Sequence, residues 1–512
     1  MTAVDFRPFI AGSYVESTTG GLSESIDPST GEAVGRVANA GASEAEDALR
    51  AAREAHDDRR WASLSGTSRA KVLFKIAEGI RERGPELADL ETRDSGATRA
   101  KARSDVSSAS FWFRTMAELA ERLDEPEPLP ITLAPIASSN FLQREPVGVG
   151  VAIIPWNFPL LMAAWKLSMG LAAGNSMILK PAPETPATAT MLAGIAAEAG
   201  VPDGVVNVLP GPGPGLGDLL VGDPRVDKVS FTGSPQVGKQ VAAAAAATVK
   251  NVTLELGGKS PQLILPDADL ELGIDGALFA IFFHSGQTCT AGSRLLVPAA
   301  MHADVVDRLF QRAANLVVGP ADDEVTNLGP LISQRHLERV EAHIMNAAQE
   351  GATIALGGSR PTVRQAPKGY YLNPTIITDV TPEMRIAQDE VFGPVLTVLP
   401  YEDVDEAVAV ANGTAFGLAA GIWGSTAMAS RVASRLRAGT VWINDYHLLS
   451  PKYPFGGMGQ SGVGREHGQL GLHEWTEARH VHISLDPART AKRYFDGTVP
   501  PGIDLAAQTW RT

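Results

Sequence analysis

At 512 residues the chain exceeds the roughly 100–200 residues typical of one domain, which predicts two or three domains, each with its own core. A hydrophobic fraction of 44% and a charged fraction of 20% are ordinary globular values, far from the disordered or membrane extremes. The net charge of −14 disfavours nonspecific attachment to nucleic acid or anionic lipid, and a single cysteine excludes both an internal disulfide and a cysteine-rich metal site.

The N-terminus, Met-Thr-Ala-Val-Asp-Phe-Arg, has no basic segment leading into an apolar run, so no secretory signal is expected there. With the lone thiol this points to the cytoplasm. Asp124-Glu-Pro-Glu-Pro-Leu-Pro-Ile-Thr-Leu and Ser139 to Pro146 alternate polar and apolar residues, as an exposed antiparallel arm or a linker would. The most apolar stretch, Val147 to Trp165, is broken by Pro155 and Pro159 and carries Asn157, which makes it a poor membrane span.

From Val147 to Gly258 short apolar runs alternate with Ala-rich stretches: Gly148–Ile154, Ser176–Lys180, Val205–Leu209, Lys228–Phe231 and Val252–Leu256. A second series follows at Gln262–Leu265, Leu295–Val297, Thr375–Ile377, Val395–Val398 and Gly439–Asn444. Such alternation predicts two doubly wound α/β domains in series, meeting near Gly257-Gly258. The alanine run 242–247 reads as helix filler, and the last residues, rich in Pro, Gly and Asp, as an irregular tail.

Two glycine-rich segments could hold a phosphate. Gly211-Pro-Gly-Pro-Gly-Leu-Gly217 lacks the G-x-G-x-x-G spacing, and its prolines remove backbone donors, so it reads as a turn. Gly233-Ser-Pro-Gln-Val-Gly-Lys239 follows a strand and opens a helix, aiming N–H groups and a positive helix end at an anion. Gln240 stands where a triphosphatase P-loop needs Ser or Thr for magnesium. A dinucleotide pyrophosphate remains, with a plain strand-to-helix turn as the alternative.

Cys289 sits among small polar residues, Gly286-Gln-Thr-Cys-Thr-Ala-Gly292, unlike a thiol buried for packing. With an ordinary pKa near ~8.5 it needs a neighbouring base or oriented N–H groups to act as a nucleophile. Glu255 ends an apolar strand at the domain junction, where a cleft could desolvate it toward working pH. Asn157 could cap a helix opened by Pro159 or point its amide at an oxyanion.

The strings Pro155-Trp-Asn-Phe-Pro, Phe231-Thr-Gly-Ser, Leu254-Glu-Leu-Gly-Gly-Lys, Gly286-Gln-Thr-Cys, Glu390-Val-Phe-Gly-Pro and Pro454-Phe-Gly-Gly, in this order, resemble the aldehyde dehydrogenase superfamily. The resemblance implies NAD(P)-dependent oxidation of an aldehyde to its acid. Cys289 attacks the aldehyde, Asn157 holds the oxyanion, Glu255 activates the hydrolytic water, and Lys166 and Glu466 relay protons. The cofactor set it implies is Pro155, Trp156, Lys180, Glu184, Gly233, Ser234, Leu256, Glu390 and Phe392.

It also sets Phe158, Met162, Trp165, Phe283, Thr288, Thr290, His447, Leu449 and Phe455 around the substrate. Because none of these is Arg or Lys, an apolar or aromatic aldehyde is expected over a semialdehyde acid. NAD is the expected cofactor, with NADP as the alternative, since Pro183 stands where many NAD-using relatives have Glu. Gly459 stands where many relatives have Lys. The rivals are a coenzyme-A-acylating relative and a noncatalytic dinucleotide-binding protein.

The domain expectation is a dinucleotide-binding unit of residues 1–124 and 147–257, a catalytic unit of 258–446, an oligomerisation arm of 125–146 and 471–493, and a tail of 494–512. A homo-oligomer, dimer or tetramer, follows from the resemblance, with no nucleic acid, membrane or metal expected.

Overall fold

The structure, a computed structural model, describes residues 4–18, 21–133, 137–213 and 215–485. The expected tail of 494–512 and the end of the expected arm lie outside the described residues.

Two large sheets form the scaffold. The first contains β1 (Val149–Ile153), β2 (Ser176–Lys180), β3 (Val206–Val208), β4 (Lys228–Thr232) and β5 (Asn251–Glu255), all parallel, in the spatial order β5-β4-β1-β2-β3. Short antiparallel strands close both sides: Gly462–Val463 beside β5, and Phe9–Ile10 with Ser13–Tyr14 beyond β3. The strand order changes direction at β1, next to β4, and a crevice opens there beyond the C-terminal strand ends, the usual place for a ligand in such sheets.

The second sheet contains β6 (Pro261–Ile264), β7 (Arg294–Pro298), β8 (Thr375–Thr378), β9 (Val395–Tyr401), β10 (Ala419–Trp423) and β11 (Thr440–Ile443), parallel in the order β8-β9-β7-β6-β10-β11. Thr353–Leu356 adds an antiparallel edge to β8. Every strand run named from the sequence is present. The central β10 was not among them, because Ala-Ala-Gly-Ile-Trp lacks the β-branched pattern of its neighbours and is strand only by virtue of being paired on both sides.

Glu127–Thr132, Ser138–Pro146 and Thr476–Ser484 pair antiparallel as a small separate sheet within the one chain. Four helices surround the crevice: α1 (Gly84–Ser95), which packs behind it, and α2 (Arg99–Leu123), α3 (Pro159–Ala172) and α4 (Pro235–Ala246), which bring side chains to it. α3 is buried along its whole length, which its nearly unbroken apolar sequence requires. Its spacing sets Met162, Trp165 and Lys166 on one face at i, i+3 and i+4. Gly238 in α4 packs against Leu256, where an added Cβ would lie 2.5 Å from that side chain.

Candidate active site

Three connections build the site, two leaving the ends of β1 and β5 and the third leading from the helix Leu270–Phe282 into β7. After β1, Pro155 to Phe158 crosses the crevice before α3 begins at Pro159, and Phe158, not Asn157, occupies the cap position. Asn157 is 4% exposed and its Nδ2 donates to the Gln287 carbonyl at 2.8 Å. After β5, Glu255 leads into Gly257 and Gly258. A Cβ on Gly257 would lie 2.2 Å from a Glu390 carboxylate oxygen, and one on Gly258 would lie 2.6 Å from the Cys289 carbonyl oxygen. The paired glycines therefore let both neighbours close in, and the Gly258 N–H donates to Glu390 at 3.0 Å.

The third connection carries the thiol. His284, Ser285 and Gly286 are all left-handed, with φ of 50°, 53° and 71°. Two of them bear side chains, a strained arrangement that persists only when its surroundings enforce it. Here the Ser285 hydroxyl donates to the Gly329 carbonyl at 2.8 Å, and the Gln287 carboxamide is held by Ile332 N–H and the Pro330 carbonyl at 2.9 and 3.2 Å. Two residues on, Cys289 faces the crevice.

These connections enclose a cavity of about 570 Å³. Its wall includes the predicted Pro155, Trp156, Asn157, Phe158, Met162, Trp165, Gly233, Ser234, Glu255, Leu256, Phe283, Thr288, Cys289, Thr290, Glu390, Phe392, His447, Leu449 and Phe455. Lys166 and Glu466 lie behind the wall, their charges 2.6 Å apart and both joined to the Ser230 hydroxyl. The wall does not extend to Lys180 or Glu184. Lys180 donates to the Pro181 and Gly211 carbonyls at the end of β2, and Glu184 lies 3.9 Å from Arg335.

Sequence reasoning missed the contribution of α2. Ser104, Asp105, Ser108 and Trp112 fall on one helical face and line the cavity, and Arg339 joins the wall from the second domain. The wall is therefore not without ionic groups. Asp105, however, is paired with Lys101 at 2.5 Å, and Arg339 interacts with Glu390. The periodicity of α2 was available in the sequence; that this face turns toward the crevice was not.

The electrostatics follow from burial. Burial first, then the nearby Glu390 and Glu255, pushes the Cys289 thiol up to about 12. Burial, reinforced by Glu466, raises Glu255 well above the carboxylate range, and neither of its oxygens has a hydrogen-bond partner among the described residues. Glu390 is raised to about 7 by burial. Burial acts to raise Glu466, but the Lys166 charge, His467 and the hydrogen bonds from Lys166 and Ser230 together outweigh it, and its pKa is lowered. His447 is pushed down to about 4 by burial and is neutral at pH 7. Its Nε2 lies 3.0 Å from the Ala280 carbonyl, which can only accept, so Nδ1 accepts from the Thr290 hydroxyl at 3.1 Å.

The model of the aldehyde dehydrogenase family matches residues 14–481. The chain belongs to the aldehyde dehydrogenase family. The chain is 43% identical over 482 residues to a betaine aldehyde dehydrogenase of Bacillus subtilis, covering 94% of this chain and 98% of the relative. It is 40% identical to a phenylacetaldehyde dehydrogenase of Pseudomonas fluorescens, covering 93% and 95%. The crystal structure of a betaine aldehyde dehydrogenase from Staphylococcus aureus in complex with NAD+ superposes with a TM-score of 0.92 at 39% identity, covering 94% of this chain and 95% of that one.

This aldehyde dehydrogenase is thus an NAD(P)-dependent oxidoreductase with the mixed α/β, parallel-sheet fold of its family. Gly459 is left-handed (φ +60°), and a Cβ there would lie 2.8 Å from the Ala415 carbonyl oxygen. Glycine is the residue that this backbone accepts without strain. No helix among the described residues is long and apolar enough to cross a membrane, and none of their His, Cys, Asp and Glu side chains are grouped as a metal site.

Proposed function

We propose that this aldehyde dehydrogenase oxidises an uncharged apolar or aromatic aldehyde to its acid, with Cys289 as nucleophile, Asn157 as oxyanion donor and Glu255 as the base for hydrolysis. The observation that carries this reading is the convergence of a thiol, a carboxamide and an unpartnered carboxyl in one buried cavity at the ends of β1 and β5. Asn157 Nδ2 has two N–H bonds. One is spent on Gln287, which leaves the second for an oxygen developing on the substrate.

Addition of the thiol to the carbonyl forms a C–S bond, passes the thiol proton to water in the cavity and leaves a tetrahedral carbon with an anionic oxygen. A nicotinamide held against Trp156, Phe392 and Glu390 would supply the oxidant, as acceptor of the hydride that leaves that carbon when the carbonyl re-forms. Water then attacks the thioester, Glu255 takes one of its protons, and the C–S bond breaks to return the thiol and release the acid. Lys166, Ser230 and Glu466, linked at 2.6 to 3.1 Å behind the wall, are suited to carry that proton outward. The buried, unpartnered Glu255 favours water over coenzyme A as acyl acceptor and catalysis over mere dinucleotide binding.

For the cofactor, the start of α4 with Gly233 and Ser234 suits a pyrophosphate, since Ser234 and Gln236 lie in the cavity wall at the positive end of the helix dipole. Trp156 and Phe392, ring centroids 5.4 Å apart, and Glu390 suit the nicotinamide half, with Leu256 and Pro155 as apolar walls. Lys180 and Glu184, beyond the wall at the end of β2, suit the adenosine ribose. The Glu184 carboxylate favours NAD over NADP by repelling a 2′-phosphate. The unit boundaries set out above are proposed on the same footing. So is a cytoplasmic dimer or tetramer that uses the edge strands of the small sheet.

The substrate end is lined by Phe158, Met162, Trp165, Phe283, Phe455 and Trp112, and its one carboxylate, Asp105, is neutralised by Lys101. A second reading, a quaternary-ammonium aldehyde, rests on the stacked Trp112 and Trp165 (5.4 Å, 21°) with Phe455 beside them, faces that attract a cation. The relatives named above as betaine aldehyde dehydrogenases suit it. Reduced-cofactor production from NAD and NADP over phenylacetaldehyde, betaine aldehyde and succinic semialdehyde, with Cys289→Ala as control, tests both. A preference for the semialdehyde acid overturns both readings, and turnover surviving Cys289→Ala overturns the mechanism.

A further inference from the structure

Beneath the turn that carries Asn157 lies a buried ionic cluster that the mechanism above does not use. Lys101, its side chain 2% exposed, comes from the first turn of α2, where Thr98 caps the helix. Its ammonium donates to Asp105 at 2.5 Å and to the Asn157 backbone carbonyl at 3.1 Å, and it sits 4.0 Å from the centre of the Phe158 ring. All the directions an ammonium can use are therefore spent. From α1, fully buried Glu91 accepts from the Leu160 N–H at 3.0 Å and from the Thr188 hydroxyl at 2.5 Å.

Two ionisable groups of the helical layer thus grip the main chain on either side of Phe158-Pro159. Lys101 takes the carbonyl before that dipeptide, and Glu91 takes the N–H after it. Within it, the Phe158 carbonyl accepts from the Met162 N–H, and Pro159 has no N–H to satisfy. The Asn157 side chain is fixed from the other domain by Gln287. A buried pair such as Lys101 and Asp105 adds little net stability over a well-packed apolar pair, so its presence calls for another reason.

We infer that Lys101 is a positioning residue for the reaction: by holding the Asn157 carbonyl it sets the amide of Asn157 at the height over Cys289 that the developing oxyanion requires. The inference rests on the oxyanion role proposed for Asn157. A donor misplaced by a fraction of an ångström loses much of its value to the transition state while substrate and cofactor still bind.

The test is a double-mutant cycle. Lys101→Met with Asp105→Leu removes both charges, so that no orphaned ion is left buried. It is compared with Asn157→Ala, with the combined variant and with the unmodified enzyme. Measurements are kcat, KM for aldehyde and for NAD, the rate of Cys289 alkylation by iodoacetamide without cofactor, and the thermal midpoint. The charge-free pair is expected to lower kcat by about tenfold or more while KM for NAD and the alkylation rate stay within about twofold, and to add less than about twofold to Asn157→Ala.

A kcat within about twofold of the unmodified enzyme, or a loss that multiplies with that of Asn157→Ala, overturns the inference. Asn157→Ala turning over normally overturns instead the oxyanion reading beneath it. If the charge-free pair does not fold, Lys101→Gln, which keeps Asp105 and a shorter donor, is run through the same cycle with the same two criteria.

Discussion

Replacing Glu255 by Gln keeps the shape of the side chain and removes its ability to take a proton. The carboxyl is 4% exposed, its two oxygens have no partner among the described residues, and burial with Glu466 raises its pKa well above the carboxylate range. A positioned base contributes about 10²–10⁴-fold, so steady turnover should fall by that factor. Thiol addition and hydride loss do not need this base. Stopped-flow NADH fluorescence should therefore still record a burst of about one NADH per site, followed by a nearly flat line.

The same substitution should change stability with the opposite sign. A carboxyl whose folded pKa is raised contributes stability that is complete below its unfolded pKa and is lost as pH rises through the folded value. The Gln variant should therefore melt above the unmodified enzyme at pH 8, and the gap should close as pH falls toward the ordinary carboxylate range. An abolished burst would assign Glu255 a step before hydride transfer, and undiminished steady turnover would refute its role as base.

Asn157→Ala should lower kcat by about 10²–10³-fold, as loss of one oxyanion donor does, with cofactor binding by fluorescence titration unchanged. With the Cys289 thiol pushed up to about 12, alkylation by iodoacetamide without cofactor should rise about tenfold per pH unit through pH 10, and a plateau near 8.5 would refute this. Glu91 is raised from 4.5 to about 7, chiefly by burial. Glu91→Gln should accordingly gain on the unmodified enzyme by about 3 kcal/mol between pH 4.5 and 7, read from chemical denaturation. Gly286→Ala sets a Cβ 2.1 Å from the Gly393 carbonyl oxygen at φ +71° and should cost about 2 kcal/mol or more, with loss of turnover.

Residues whose role is written in their local backbone were legible without coordinates. Gly257 and Gly258 must be glycine for Glu390 and the Cys289 connection to approach, so the string around Glu255 keeps its form and can be read. The parallel strands of both sheets announce themselves as apolar runs because they are buried on both faces. β10 escaped because its Ala and Gly become strand only between two neighbours. The charged side of the cavity escaped for a related reason: Asp105 and Trp112 are ordinary helical residues until α2 is packed against the crevice.

Chemistry and fold class were thus decided by the order of residues along the chain, because nucleophile, base and close-packed glycines are properties of residue type and local conformation. The tertiary structure alone decided that Lys101 and Glu91, far in sequence from the thiol, lie under the turn that bears Asn157. It also decided that a thiol ordinary in sequence is held, by burial among Glu390 and Glu255, as the neutral acid. Those are distances and dielectric surroundings across packed elements, and no local pattern encodes them.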